Sequence, residues 1–171
     1  MQKRYSPFLF LFLAIVFAII GGCSKPEPKM EVTITSGKKV IGYQVQKTVS
    51  SEKNESRQDV FSFAFDPSYT IEPIKTSETI VLDFGDNPPD RITGKDSLVG
   101  PDGHYLYDER TTTSIPFQED GNRYTFEVQT HKWSGLSSLF KKDDDRGIEV
   151  EATWKKTAYT YFFVIRTDSD N

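Results

Sequence analysis

Few residues of this 171-residue chain could do redox, metal or base chemistry: one cysteine, Cys23, and two histidines, His104 and His131. Zinc and copper sites gather several Cys, His, Asp or Glu ligands at workable spacing. A cupredoxin-like copper site would need Cys and His near the C-terminal hairpin, and the lone Cys lies at the other end. Asp143-Asp144-Asp145, with Glu149 beyond, offers the carboxylate oxygens calcium takes. Its spacing lacks the alternating ligands and sixth-position glycine of an EF-hand loop, so it reads as a solvated acidic turn. Nucleophilic catalysis needs Ser or Cys with a base and an orienting acid. No Gly-x-Ser-x-Gly occurs, and Ser134-Gly135-Leu136-Ser137 has no recognisable partner. His104 follows a turn and His131 ends a predicted strand, which places both at the surface or an edge. Acids are plentiful enough for a glycosidase-like pair, yet no pair stands out. The expectation is a protein without catalytic residues, metal or cofactor.

Aromatic residues in irregular stretches are the better binding signal. Trp133, Leu136, Leu139 and Phe140 sit between Lys132 and Lys141-Lys142, and Tyr105 and Tyr107 flank another turn. Loops on a rigid scaffold often carry binding, and aromatic faces suit sugars, peptides or a protein partner. Trp133, Leu136, Phe140, Tyr105 and Tyr107 therefore form a candidate binding loop set. The alternative is that they cap one open end of the core.

The N-terminus is the most specific stretch. Lys3 and Arg4 precede thirteen consecutive apolar residues from Phe8 to Ile20, and Gly21, Gly22 and Cys23 follow. A membrane-spanning helix needs about 20 apolar residues. A shorter run between a basic head and small residues reads as a secretory signal peptide. Ile20-Gly21-Gly22-Cys23 resembles the lipobox of bacterial lipoproteins: an aliphatic residue, two small ones, then Cys. The resemblance covers the first two dozen residues. It implies a thioether-linked diacylglycerol on Cys23 and cleavage between Gly22 and Cys23. Two acyl chains meet the physical requirement for stable anchoring, which one chain does not. An exported protein with one cysteine has no internal disulfide to make, and lipidation accounts for Cys23. Residues 1–22 are then the signal peptide, and residues 23–30, with Pro26 and Pro28, a lipidated extended tether.

Loss of residues 1–22 removes Lys3 and Arg4 but no acid, leaving 19 basic against 25 acidic residues and moving the net charge from −4 to −6. Such a domain is a poor nucleic-acid partner, since phosphate neutralisation needs clustered Lys and Arg. Residues 31–171 suffice for one domain with a sizeable core. Thirteen Phe, eight Tyr and two Trp favour a β-rich core.

Period-2 alternation predicts strands at 31–35 and 38–49, and at 60–65, where Phe61, Phe63 and Phe65 share one face. Strands follow at 79–84, with Ile80, Leu82 and Phe84 inward, and at 92–99, a weakly patterned edge strand. Residues 104–107 are expected to pair across the Pro101-Asp102-Gly103 turn. Residues 111–118 and 123–130 flank Glu119-Asp120-Gly121-Asn122 as a hairpin. Residues 131–147 lack strand periodicity, and Leu136, Leu139 and Phe140 have the spacing of a short helix. Residues 148–154 and 158–165 form a last hairpin, whose second arm is apolar at nearly every position, as in a strand covered on both faces. About nine short strands predict an all-β fold, an antiparallel β-sandwich with immunoglobulin-like topology as first choice and a small closed barrel as second.

The expected protein is thus a lipid-anchored lipoprotein on the extracytoplasmic side of the cell membrane. Its sandwich would be a binding module for an envelope protein or glycan. An envelope hydrolase using carboxylates would instead show acids converging in a concave pocket. A small-solute receptor would show a deep apolar cavity between the sheets.

Overall fold

The computed structural model describes residues 31–48, 59–134 and 143–168. Its longest elements are the two arms of the C-terminal hairpin, β10 (Asp143–Trp154) and β11 (Thr157–Asp168), which pair along twelve residues each. The other strands are β1 (Thr33–Ser36), β2 (Lys39–Val40), β3 (Gln44–Thr48), β4 (Glu72–Pro73), β5 (Thr79–Asp83), β6 (Arg91–Val99), β7 (Thr113–Ile115), β8 (Gln118–Asp120) and β9 (Arg123–Glu127). They build two antiparallel sheets packed face to face. One has the order β2-β1-β5-β9-β8; the other runs β3-β11-β10-β6-β7, with β4 added in parallel to β11.

Alternation places the core. Ile34, Ile80, Leu82, Phe84, Tyr124 and Phe126 from the first sheet meet Ile148, Val150, Ala152, Tyr161, Phe163 and Ile165 from the second, all buried. The all-β sandwich expected from the sequence is what forms, and β11 is covered on both faces as its apolar composition implies. Its outward-facing Phe162 and Val164 belong to a second cluster with Phe61, Ala64 and Val99.

That second cluster corrects one expectation. Residues 60–65 are not a strand: Ser62–Phe65 form a 3-10 turn lying over the outer face of the second sheet. The Ala64 N–H donates to Phe61 O at 3.0 Å and the Asp66 N–H to Phe63 O at 3.3 Å. Phe61 is fully buried and meets Tyr105 and Phe162 edge to face, with ring centroids 5.8 and 5.9 Å away. Gly147 makes room for it: a Cβ there would stand 2.6 Å from the Phe61 ring.

Three further expectations change. The run 38–49 divides between the sheets, β2 in one and β3 in the other, because the chain crosses over at Ile41-Gly42-Tyr43. The Tyr69 hydroxyl holds this crossing by donating to Gly42 O at 2.5 Å. Val45, opposite Tyr161, shares the inward face but stands exposed because β3 is an edge strand. Residues 111–118 likewise divide, into β7 on one sheet and β8 on the other, and β8 alone closes the hairpin with β9. β6 is an interior strand between β10 and β7, not an edge.

Asp143, Asp144 and Asp145 open β10 instead of forming a turn, and Asp144 is buried. The short helix expected around Leu136, Leu139 and Phe140 lies outside the described residues.

Replacing Phe61 with Ala should cost about 3–5 kcal/mol, the range for a large aromatic removed from a packed core. Urea unfolding of the whole chain checks this; a loss below about 1 kcal/mol would mean the aromatic cover is loose.

Candidate functional site

β6 carries an acid on its inward face. Asp96 and Arg146, on neighbouring strands β6 and β10, are both nearly excluded from water and form a two-pronged ion pair. Arg146 Nε donates to Asp96 Oδ1 at 3.1 Å and Nη2 to Oδ2. Its remaining terminal nitrogen, Nη1, donates to Gln129 O at 2.6 Å, on the chain leaving β9 of the opposite sheet. Desolvating two charges is costly unless geometry is good and the remaining donors are satisfied. Here the fork meets the carboxylate and the third bond ties the second sheet to the first.

His131 lies beside this pair and is buried, a correction to its expected edge position. The Trp133 N–H donates to His131 Nδ1 at 3.3 Å, and Nε2 faces Asp96 O at 3.4 Å. With Nδ1 accepting, the proton belongs on Nε2. Burial pushes the His131 pKa below its ordinary value and the Arg146 charge adds to this, against the opposing charge of Asp96. His104, by contrast, sits at the surface with Nδ1 3.0 Å from Asp59 Oδ1.

The candidate loop residues stand on different supports. Trp133 is 40 % exposed above His131. Tyr105 belongs to the outer aromatic cover, packing on Phe61 and donating its hydroxyl to the buried Glu149. Tyr107 is half-buried, while Leu136 and Phe140 lie outside the described residues.

A separate concavity lies at the edge of the sandwich where β7 leaves β6. β7 pairs with β6 only from Gly94 to Asp96, then crosses at Pro116-Phe117 to become β8 of the other sheet. The departure opens a groove of about 410 Å³ beside Arg91, Ile92 and Thr93, walled by Ile115, Phe117 and Tyr124. Gly94 lets the Phe117 ring lie against the strand, since a Cβ there would meet that ring at 2.8 Å. Phe117 also meets Phe126 edge to face at 5.5 Å, which fixes the ring in the wall.

Residues of an antiparallel strand direct their backbone groups alternately to one neighbour and the other. On the side of β6 away from β10, Leu98 O accepts from the Leu106 N–H at 2.9 Å and the Gly100 N–H donates to His104 O at 2.8 Å. Even-numbered residues therefore face that side. Asp96 and Gly94 meet Thr113 and Ile115 of β7. Ile92, next in line, turns its N–H and C=O into the groove, and no strand among the described residues pairs with it there.

The groove's charge is mainly acidic. Asp90 and Glu119 are exposed at its rim, against Arg91. The Tyr124 hydroxyl donates to Pro89 O at 2.9 Å. Burial raises the Tyr124 pKa, and the charges of Glu119 and then Asp90 raise it further, so both carboxylates bear on this one hydroxyl. A smaller hollow of about 160 Å³ on the outer sheet face brings together Glu149, Glu151, Lys95, Thr93 and Thr160. Glu149 there is bonded to the Tyr105 hydroxyl.

Little in the residue pattern marks this groove, because it arises from where a chain changes sheets. The one local hint is the weak patterning of β6. No family model matches the chain, and no curated protein is significantly similar to it. Among the described residues no helix is long and apolar enough to cross a membrane, and no three His, Cys, Asp or Glu side chains are grouped to hold a metal ion.

A histidine held below its ordinary pKa of 6.5 is protonated in the unfolded chain before the folded one. The unfolded state then binds more protons, so stability should fall as pH drops below about 6.5, until the folded-state His131 also protonates. Thermal midpoints between pH 7.5 and 5 should decline in this way, and His131→Gln should flatten the decline. An unchanged slope in that variant would contradict the buried neutral imidazole.

Proposed function

We propose that this is a lipid-anchored bacterial lipoprotein, facing the extracytoplasmic side of the cell membrane, whose sandwich domain binds a partner through the groove beside β6. The anchor reading rests on Ile20-Gly21-Gly22-Cys23 and on Cys23 being the only cysteine. The seven residues from Ser24 to Met30 extend at most about 25 Å. That reach lifts the sandwich off the lipid headgroups while keeping it at the surface.

Strand order supports an immunoglobulin-like topology. β1, β5, β9 and β8 take the places of strands A, B, E and D, while β6, β10 and β11 take those of C, F and G, with β7 as C′. β3 adds antiparallel to the last strand, a departure from that pattern.

The binding reading is carried by one observation: a groove of about 410 Å³ joins apolar walls to a strand residue whose outward backbone groups pair with no strand among the described residues. Binding sites are characteristically concave and mostly apolar with a few placed polar groups. The solute-receptor alternative gains less support, because Tyr161, Phe163, Leu82 and Ile148 fill the space between the sheets. The hydrolase alternative would draw on Asp90 and Glu119. Both are exposed, and Asp90 Oδ2 already accepts the Lys155 N–H at 2.6 Å.

Metabolic labelling with a clickable fatty acid tests the anchor. Wild-type chain should carry label and partition with membranes, and Cys23→Ala should lose both. Label retained in the variant would refute lipidation at Cys23.

A further inference from the structure

We propose that the groove takes an extended, basic segment of a polypeptide partner, added as a short strand antiparallel to β6 beside Ile92. This rests on the reading of the groove as the binding site and names what occupies it.

The backbone sets the mode. Ile92 offers one N–H and one C=O side by side, on the line that β7 vacates after Ile115. An extended residue opposite it makes two hydrogen bonds, as a narrow antiparallel pair does. Strand addition of this kind takes its affinity from main-chain bonds and its selectivity from alternate side chains.

The side chains set the preference. Cross-strand partners share a face, so the residue opposite Ile92 points, like Ile92, toward the other sheet. Glu119 pairs with Tyr124 on β9, and both line the groove from that sheet. A lysine or arginine at this position lays its methylenes along Ile115 and Phe117 and brings its charge to Glu119 and Asp90. Its two neighbours point to the outer face beside Arg91 and Thr93, where small or apolar residues fit. The domain's acidic balance, 25 acids against 19 bases once residues 1–22 are removed, favours a basic partner overall.

Other features carry less. The edge strand β3 and the exposed Val40 and Val45 have no feature that selects an occupant. The hollow at Glu149 and Glu151 is small, and Glu149 already serves the aromatic cover.

The test uses the whole chain, ¹⁵N-labelled in detergent micelles. The probes are the capped pentapeptide Ala-Val-Arg-Val-Ala, the same peptide with Glu for Arg, the same peptide N-methylated at the Arg amide, and an N-acetylglucosamine tetramer. The parent peptide should move the amide resonances of Arg91, Ile92, Thr93, Phe117 and Tyr124. The Glu and N-methyl versions should bind at least about tenfold more weakly, equivalent to ~1.4 kcal/mol. Glu119→Gln should weaken the parent peptide severalfold at an unchanged thermal midpoint.

Equal binding by the N-methylated peptide would overturn strand addition and leave the groove as a binding site. The sugar moving these resonances while no peptide does would likewise overturn a polypeptide occupant. If no probe moves them, both the occupant and the groove reading fall.

Discussion

A guanidinium closed on a carboxylate inside the sandwich is the interaction on which the rest depends. Arg146 and Asp96 sit on adjacent strands, and the third Arg146 bond, to Gln129 O, reaches the chain that leaves the opposite sheet. Removing one partner of such a pair is strongly destabilising, by about 3–5 kcal/mol, because it leaves a buried charge uncompensated. The pair lets β6 keep an acid on its core face and still lie between two strands. It also fixes the ground beneath His131 and hence the loop that presents Trp133. β7 needs to follow β6 for only three residues in this setting, and its early departure is what makes the groove.

A second constraint acts on the outer face of the same sheet. β11 is apolar on both sides, so a sandwich alone would leave Phe162 and Val164 in water. The 3-10 turn at Ser62–Phe65 supplies the missing cover, with Tyr105 from the loop after β6 completing it. Two glycines permit the close approach. Gly147 leaves space for the Phe61 ring, and Gly103, at φ +81°, lies where a Cβ would stand 2.5 Å from the Ser62 backbone. The turn Pro101-Asp102-Gly103 and the aromatic turn are therefore shaped against each other. Glu149 is drawn into this cover through the Tyr105 hydroxyl.

Much of the architecture was legible in the sequence where one face alternates against another. β5, β9 and the β10–β11 hairpin were readable from Ile80, Leu82 and Phe84, from Tyr124 and Phe126, and from the continuous run after Ala158. Misreadings share a cause: a period-2 pattern reports which residues are buried, not what buries them. Phe61, Phe63 and Phe65 have strand spacing, but they belong to a turn laid on a finished sheet, Phe61 buried and the other two partly buried against it. Residues 38–49 alternate without a break, yet Gly42 and the Tyr69 hydroxyl carry the chain from one sheet to the other. Asp144 and Arg146 look like solvent-facing charges in sequence, and only the register of β6 against β10 shows that Arg146 meets Asp96.

For the candidate site the division is similar. Exposure of Trp133 was readable, whereas burial of His131 depends on a neighbour 35 residues away, Asp96. The groove has no local signature beyond the weak patterning of β6. It is defined by the point where β7 leaves β6, and its distinctive chemical feature is the Ile92 backbone, which no strand among the described residues pairs on that side. Hydrogen exchange on the free, full-length chain measures that feature directly. The Ile92 amide should exchange like a surface group while the Gly94 and Asp96 amides, bonded to β7, are protected. Protection of Ile92 equal to that of Gly94 would contradict it.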